Sequence, residues 1–286
     1  LHIITGPTAI GKTNRSIEIA TNYHCPILSF DSRQIYKELS IGVAKPDDAQ
    51  LKKVQHHFIS TVSIFDDYNA GTYAKEARIK INQLFREFDH LVLCGGTGLY
   101  LKALLNGFDP LPEKNEVLRN ELKTMLNSKG IIALQNKLKL LDPNLYNKTE
   151  IDNPQRLIRA IEISSSENLN ENLLPDFEYQ FHIIHENMEM ERTKLYDRIN
   201  LRVDMMIEHG LEEEVRSLLI YKDLNALQTV GYSEWWHYFD GQITKHEVIE
   251  KIKQHSRNYA KRQITWFKNQ ALLTKENKAV LSLVKQ

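Results

Sequence analysis

The chain has 286 residues, with 37 Lys and Arg against 37 Asp and Glu, so it carries no net charge. That balance removes any whole-protein electrostatic case for a polyanionic partner and leaves only local clusters to make one. Cys25 and Cys94 are the two cysteines; they lack metal-type spacing, which argues against a thiolate zinc site and for reduced, buried thiols.

Leu1–Thr5 reads as a short buried strand running into Gly6-Pro-Thr-Ala-Ile-Gly11-Lys12-Thr13, and Thr13–Thr21 as the helix that follows. Pro26–Phe30 is a second strand, ending at Asp31. Thr72–Phe88 has helical spacing, and His90–Cys94 is a third strand, ending in Gly95-Gly96-Thr97-Gly98. Strands alternating with helices predict an α/β fold on a parallel sheet, with ligands beyond the carboxyl ends of the strands. Residues 113–149 read as a helical insertion, and Phe181–Ile184 as a last strand returning to the sheet. From Glu189 to about Gln270 helices dominate, and 164–176 (SSSENLNENLLPD) has the composition of an exposed loop. The expected organisation is a P-loop-type core begun by 1–112, the insertion 113–149, and the rest of the core with further helices in 150–286. No apolar run reaches the roughly 20 residues of a bilayer span, and no basic-then-apolar leader is legible, so a cytoplasmic location is expected. The chain opens on Leu1 rather than Met, which leaves room for preceding residues.

Gly6-x-x-x-x-Gly11-Lys12-Thr13 fits the phosphate-binding loop, with a strand before it and a helix after it as that loop requires. Backbone N–H groups from Thr8, Ala9 and Gly11 onward can curl round an anionic oxygen, the helix N-terminus adds its dipole, and Lys12 adds a full charge. Thr13 is the candidate ligand for Mg²⁺ bridging phosphate oxygens. The pattern says that a phosphate is held, and is silent on what happens to it. The one carboxylate at a strand end is Asp31, which suits a metal ligand, a general base beside an incoming nucleophile, or an N-cap for a helix over 32–38.

Lys194, Arg198 and Arg202 form an i, i+4 row of like charges that a bound polyanion would relieve; Glu191, Asp197 and Asp204 could also compensate it. Leu195, Ile199, Val203 and Met206 recur at helical spacing and read as core. Residues 251–268 hold six Lys or Arg and no acid, with Lys253, Arg257 and Lys261 on one helical face beside Tyr259, Trp266 and Phe267. Such a run is a candidate phosphate-backbone footprint with aromatics able to stack bases. Gln155, Arg156 and Arg159 offer amide and guanidinium groups to base edges or phosphates. His56-His57 has no ligand spacing around it and reads as structural, and Trp235-Trp236 as core.

Seven segments in order are similar to the tRNA dimethylallyltransferase family, also called the IPP transferase family: GPTAIGKT (6–13), DSRQIY (31–36), IGVAKP (41–46), QHHFI (55–59), CGGTGLY (94–100), QRLIR (155–159) and KRQITWF (261–267). The resemblance runs from Gly6 to about Lys268. It implies transfer of a dimethylallyl group from dimethylallyl diphosphate to N6 of the adenosine 3′-adjacent to the anticodon. Diphosphate would then be the leaving group, held by Gly6, Thr8, Ala9, Gly11, Lys12, Thr13, Arg198 and Arg202 with Mg²⁺. Asp31 would accept or orient the N6 proton, with Thr97 and Lys12 completing the catalytic group. The tRNA would lie on Asp31, Ser32, Arg33, Gln34, Thr97, Arg119, Gln155, Arg156, Arg159, Lys253, Arg257, Lys261 and Arg262, its target base flipped from the stack. The resemblance implies no membrane, and nothing in the sequence suggests more than a monomer. Ile10 replaces a small Ser usual in the family, and Leu227-Gln228 stands where many relatives have a basic residue. A small-molecule or nucleoside kinase is the alternative from another class; the basic, aromatic segment near the C-terminus is superfluous for a small acceptor. That segment also argues against prenylation of a free adenine nucleotide, and the intact loop with Asp31 and Thr97 argues against a non-catalytic RNA-binding module.

Overall fold

The structure is a computed structural model that describes residues 1–108, 112, 114–166 and 174–269. In chain order the first elements are β1 (His2–Thr5), α1 (Lys12–Asn22), β2 (Ile27–Ser29), α2 (Asp48–Lys53), β3 (His56–His57), α3 (Ala70–Leu84), β4 (Val92–Cys94) and α4 (Gly98–Asn106). A run of helices follows: α5 (Glu116–Lys129), α6 (Ile131–Leu141), α7 (Pro143–Lys148) and α8 (Pro154–Ser164). The chain then gives β5 (Ile184–Asn187), α9 (Arg192–Glu208), α10 (Leu211–Ser217), α11 (Trp236–Phe239) and the long α12 (Lys245–Asn269).

Five strands form one sheet in the order β3-β2-β4-β1-β5, every pair parallel. Strands this apolar must be covered on both faces, and side-chain alternation sends them to two cores. Ile3, Leu28 and Leu93 face α3 and α4 with Tyr73, Ala77, Ile81, Leu101 and Leu104. Ile4, Ile27 and Val92 face α1 with Ile17 and Ala20. Because β1 and β2 both flank β4, with Ile4 beside Cys94 and Ser29 beside Cys94, their carboxyl ends open at one edge of the sheet. The phosphate loop, Asp31 and the Gly95–Gly98 turn therefore emerge side by side.

The expected strand at Phe181–Ile184 forms later, at Ile184–Asn187. Phe181 is used for packing instead, stacking on Phe85 at 5.1 Å and meeting Phe177 edge-on at 5.0 Å. No helix covers 32–38; those residues turn, and Tyr36 makes an isolated bridge to Val62. Trp235 is fully buried and stacks on Phe239, as its apolar neighbourhood suggested. The expected loop at 164–176 falls largely on 167–173, outside the described residues. Among the described residues no helix is long and apolar enough to cross a membrane.

Contacts divide the chain into two compact units, Leu1–Gly107 with Leu174–Gln286, and Phe108–Leu173. The second has its own core of Leu122, Leu134, Leu138, Leu157 and Ile161. Its interior also carries a charge cluster. Glu162, 2% exposed, accepts from Arg119 Nε and Nη2 at 2.7 and 2.8 Å, from Arg159 Nη1 at 2.6 Å, and from the Asn115 N–H at 2.7 Å. Four N–H donors on one buried carboxylate satisfy it fully and fix α5 against α8. The stretch 113–149 lies within this unit, which also includes α8.

Candidate functional site

The loop between β1 and α1 is held from outside by the C-terminal helices. Arg198 Nε donates to the Ala9 carbonyl at 2.9 Å and Arg202 Nη1 to Thr8 Oγ1 at 3.1 Å. Both come from one face of α9, so Arg198 and Arg202 of the like-charged row have their partners at the loop. Ala9 has φ 64°, a left-handed conformation that a non-glycine residue holds only when its surroundings enforce it. Lys12 Nζ folds back inside the loop, donating to the Gly6 and Pro7 carbonyls at 2.9 and 2.8 Å. Burial lowers its pKa to about 8, with Cys94 and Asp31 opposing the drop and Arg202 adding to it. Burial likewise lowers Arg202, against the pull of Asp31.

Asp31 leaves the end of β2 and turns the chain. Its Oδ1 accepts the Arg33 and Gln34 N–H groups at 2.9 and 3.2 Å, a capping contact without a helix behind it. Thr97 Oγ1 accepts the Ser32 N–H at 3.0 Å and donates to Ser32 Oγ at 3.2 Å, joining the β2 and β4 ends. Arg33 and Gln34 are committed to backbone: Arg33 Nη1 to the Asn225 carbonyl at 2.9 Å, Gln34 Nε2 to that of Ala44 at 2.9 Å. The 41–46 segment is thereby drawn to the site, with Glu214 accepting from the Ile41 and Gly42 N–H groups.

These pieces line a single cleft of about 1740 Å³, whose walls include Thr8, Lys12, Thr13, Asp31, Thr97, Arg198 and Arg202. Tyr259 and Gln263 of α12 line it too. Residue patterns did not single out Gln263. It is 5% exposed, accepts from the Thr8 N–H at 2.8 Å, and donates through Nε2 to the Gly96 carbonyl at 2.9 Å. The Tyr259 hydroxyl is within hydrogen-bond range of Thr97, and burial with the negative charge of Asp31 pushes its pKa up to about 12. A signal for Gln263 was present in Gly95-Gly96-Thr97-Gly98. A Cβ at Gly96 would collide with the Gln263 amide, and one at Gly98 with the Trp266 ring; glycines that permit so close an approach mean that something packs on the turn.

The other candidates are distributed. On α12, Lys253 is paired with Asp204 at 2.8 Å and Glu250 at 3.3 Å, and Arg257 donates to Asn200 at 2.6 Å. Lys261 and Arg262 are exposed, Arg262 lying over the Tyr259 ring at 5.7 Å. Arg119, Gln155, Arg156 and Arg159 belong to the unit Phe108–Leu173; Arg156 pairs with Glu150 at 2.6 Å, and Arg119 and Arg159 with Glu162. Among the described residues no group of three or more His, Cys, Asp and Glu could hold a metal ion. His56 and His57 form the short edge strand β3.

A parallel sheet with this loop at its carboxyl edge defines a P-loop α/β protein. Residues 34–270 match the family described as IPP transferase. The chain is 45% identical over 279 residues to a tRNA dimethylallyltransferase of Flavobacterium johnsoniae, covering 93% of this chain and 89% of that protein. It is 34% identical to the solved full-length tRNA isopentenylpyrophosphate transferase of Bacillus halodurans, with a TM-score of 0.67, covering 99% of this chain and 93% of that one. A eukaryotic dimethylallyltransferase, solved acting on tRNA, shares the fold at 23% identity and a TM-score of 0.72, covering 93% of this chain and 69% of that one. The chain belongs to the IPP transferase family.

Proposed function

We propose that this protein transfers a dimethylallyl group from dimethylallyl diphosphate to N6 of the adenosine 3′-adjacent to the anticodon of tRNA, releasing diphosphate. The observation that carries the reading is the convergence of Lys12, Arg202, Asp31 and Thr97 on one cleft in a chain of this family. The cations sit where an anion would leave, and the carboxylate lies at the neighbouring strand end, where a nucleophile's proton can be taken up. N6 attacks the allylic carbon, the carbon–oxygen bond breaks toward the diphosphate, and the N6 proton passes to Asp31. Lys12 turns from the Gly6 and Pro7 carbonyls to the departing oxygens, and Arg198 and Arg202, which brace the loop at Ala9 and Thr8, clamp the same diphosphate.

Thr13 lines the cleft at the start of α1 without a carboxylate cage among the described residues. That suits Mg²⁺, which is held chiefly by substrate phosphates and water. Bound there by Thr13 and the diphosphate, it would offset the leaving group's charge. The tRNA would contact Lys261 and Arg262 on the exposed face of α12, with Ser32–Gln34, Arg119, Gln155, Arg156, Arg159, Lys253 and Arg257 as further candidates. We take the enzyme to act as a cytoplasmic monomer. The kinase alternative has no support from the family, whose members act as prenyltransferases by name.

The test is nucleoside analysis of unmodified tRNA incubated with protein, Mg²⁺ and dimethylallyl diphosphate. The expected product is N6-dimethylallyladenosine at the position 3′ of the anticodon. The modified base at any other position, or no modified base, would overturn the assignment.

A further inference from the structure

The sheet fixes where Asp31 and Cys94 emerge, because β2 and β4 are paired. It does not fix how far the phosphate loop stands from the Gly95–Gly98 turn once both chains have left the strands. Among the described residues, Gln263 is the side chain that hydrogen-bonds to both, accepting from Thr8 N–H and donating to the Gly96 carbonyl. One amide orientation alone satisfies a donor on one side and an acceptor on the other. The amide is also almost dry, so leaving either bond unmade would be costly.

From this we infer that Gln263 is a positioning residue for donor binding: it sets the separation between the diphosphate loop and the Thr97–Asp31 side of the cleft. With the Thr8 N–H committed to Gln263, the later loop amides, from Ala9 to Thr13, remain for the anion. With the Gly96 carbonyl committed as well, its negative end is kept from turning toward the diphosphate. The neighbouring turns of α12 reinforce the same geometry, Tyr259 beside Thr97 and Trp266 over Gly98. Gln263 sits in the KRQITWF segment, whose basic residues suggested an RNA contact, yet its own bonds point inward. Its effect therefore falls on the diphosphate donor and leaves RNA affinity intact. The inference rests on the prenyl-transfer reading for the identity of the donor.

Binding of inorganic diphosphate with Mg²⁺ by calorimetry, tRNA binding by filter retention, and thermal unfolding would be measured for wild type, Gln263→Ala and Gln263→Glu. Diphosphate affinity is expected to fall about tenfold in Gln263→Ala, the loss of a buried hydrogen-bonded bridge. It should fall further in Gln263→Glu, which keeps the shape and the acceptor but loses the donor and adds negative charge beside the anion. Affinity for tRNA should stay within about twofold in both, since both hydrogen bonds of the Gln263 amide go to this chain's own backbone. Two results would overturn the inference. One is tRNA affinity falling while diphosphate affinity holds, which would make Gln263 an RNA contact. The other is Gln263→Glu binding diphosphate like wild type, which would make the residue packing alone. Diphosphate binding is read without tRNA, so it reports on Gln263 even if no prenyl group reaches the RNA.

Discussion

Lys12 carries a stability cost that its pH dependence should expose. Burial takes its pKa from 10.5 in the open chain to about 8 in the fold, where Nζ rests on two loop carbonyls. Below pH 8 both states are protonated, and the folded state bears the strain of a poorly solvated charge. Between pH 8 and 10.5 the folded protein has shed this proton and the unfolded chain has not. The unfolded state then binds more protons, so stability rises with pH across that window. From pH 7 to pH 10 the gain attributable to Lys12 is about 2–3 kcal/mol. Lys12→Met removes the titrating group and keeps the apolar stem, so the wild-type value minus the variant's, taken at each pH, cancels the titration of every residue not coupled to Lys12 and leaves Lys12 with its electrostatic neighbours Cys94 and Asp31. Urea unfolding followed by far-ultraviolet circular dichroism gives both values. The difference should grow in favour of wild type by about 2–3 kcal/mol as pH climbs from 7 to 10. Saturating diphosphate should flatten it, since the anion favours the charged amine. A difference that stays constant across the range without ligand would refute the reasoning, because Lys12 would then be as well solvated in the fold as in the open chain.

Burial alone would raise the Glu162 pKa, but hydrogen bonds from Arg119 and Arg159 outweigh it and hold the carboxylate at about 2. Its contribution is therefore present above pH 4.5 and is lost as pH falls toward 2. Glu162→Ala should destabilise the protein by about 3–5 kcal/mol at neutral pH, since it leaves two guanidiniums without their shared partner; a loss under about 1 kcal/mol in thermal unfolding would mean that water serves them as well. Reversing Lys261 and Arg262 to Glu should weaken tRNA binding and reduce the slope of log affinity against log salt by about 2, one per phosphate contact. Lys253→Glu should change the slope less, because its amine is already paired with Asp204 and Glu250. Equal slopes in the two variants would place the RNA elsewhere.

What was legible in the sequence is what depends on local spacing. Gly6, Gly11 and Lys12 announce their loop because its backbone path demands those residues at those intervals, and Asp31 is visible as the one acid ending an apolar run. The i, i+4 row of Arg198 and Arg202 pointed to a bound polyanion or to compensation by Glu191, Asp197 and Asp204. It could not show that the partners in the fold are Ala9 and Thr8, whose loop lies 189 and 194 positions earlier. Gln263 was hidden for the same reason, its bond to Thr8 spanning 255 positions, and a single amide in a basic run has no periodic signature. The basic run of α12 could not show which of its cations are paired, because Asp204, the partner of Lys253, is carried by another helix. Phe181 was misplaced because an apolar run does not reveal whether its first aromatic pairs as strand or stacks on Phe85 and Phe177.

The most direct test of prenyl transfer uses dimethylallyl diphosphate labelled in its allyl group, unmodified tRNA and Mg²⁺, without ATP, for wild type beside Asp31→Ala. Label should pass to tRNA with wild type and fall by about 10²–10⁴ in rate with the variant, the range for losing a general base, while tRNA affinity stays unchanged. No label on tRNA with wild type, together with ATP consumption in the presence of a small acceptor, would contradict the account and make this P-loop the site of a kinase.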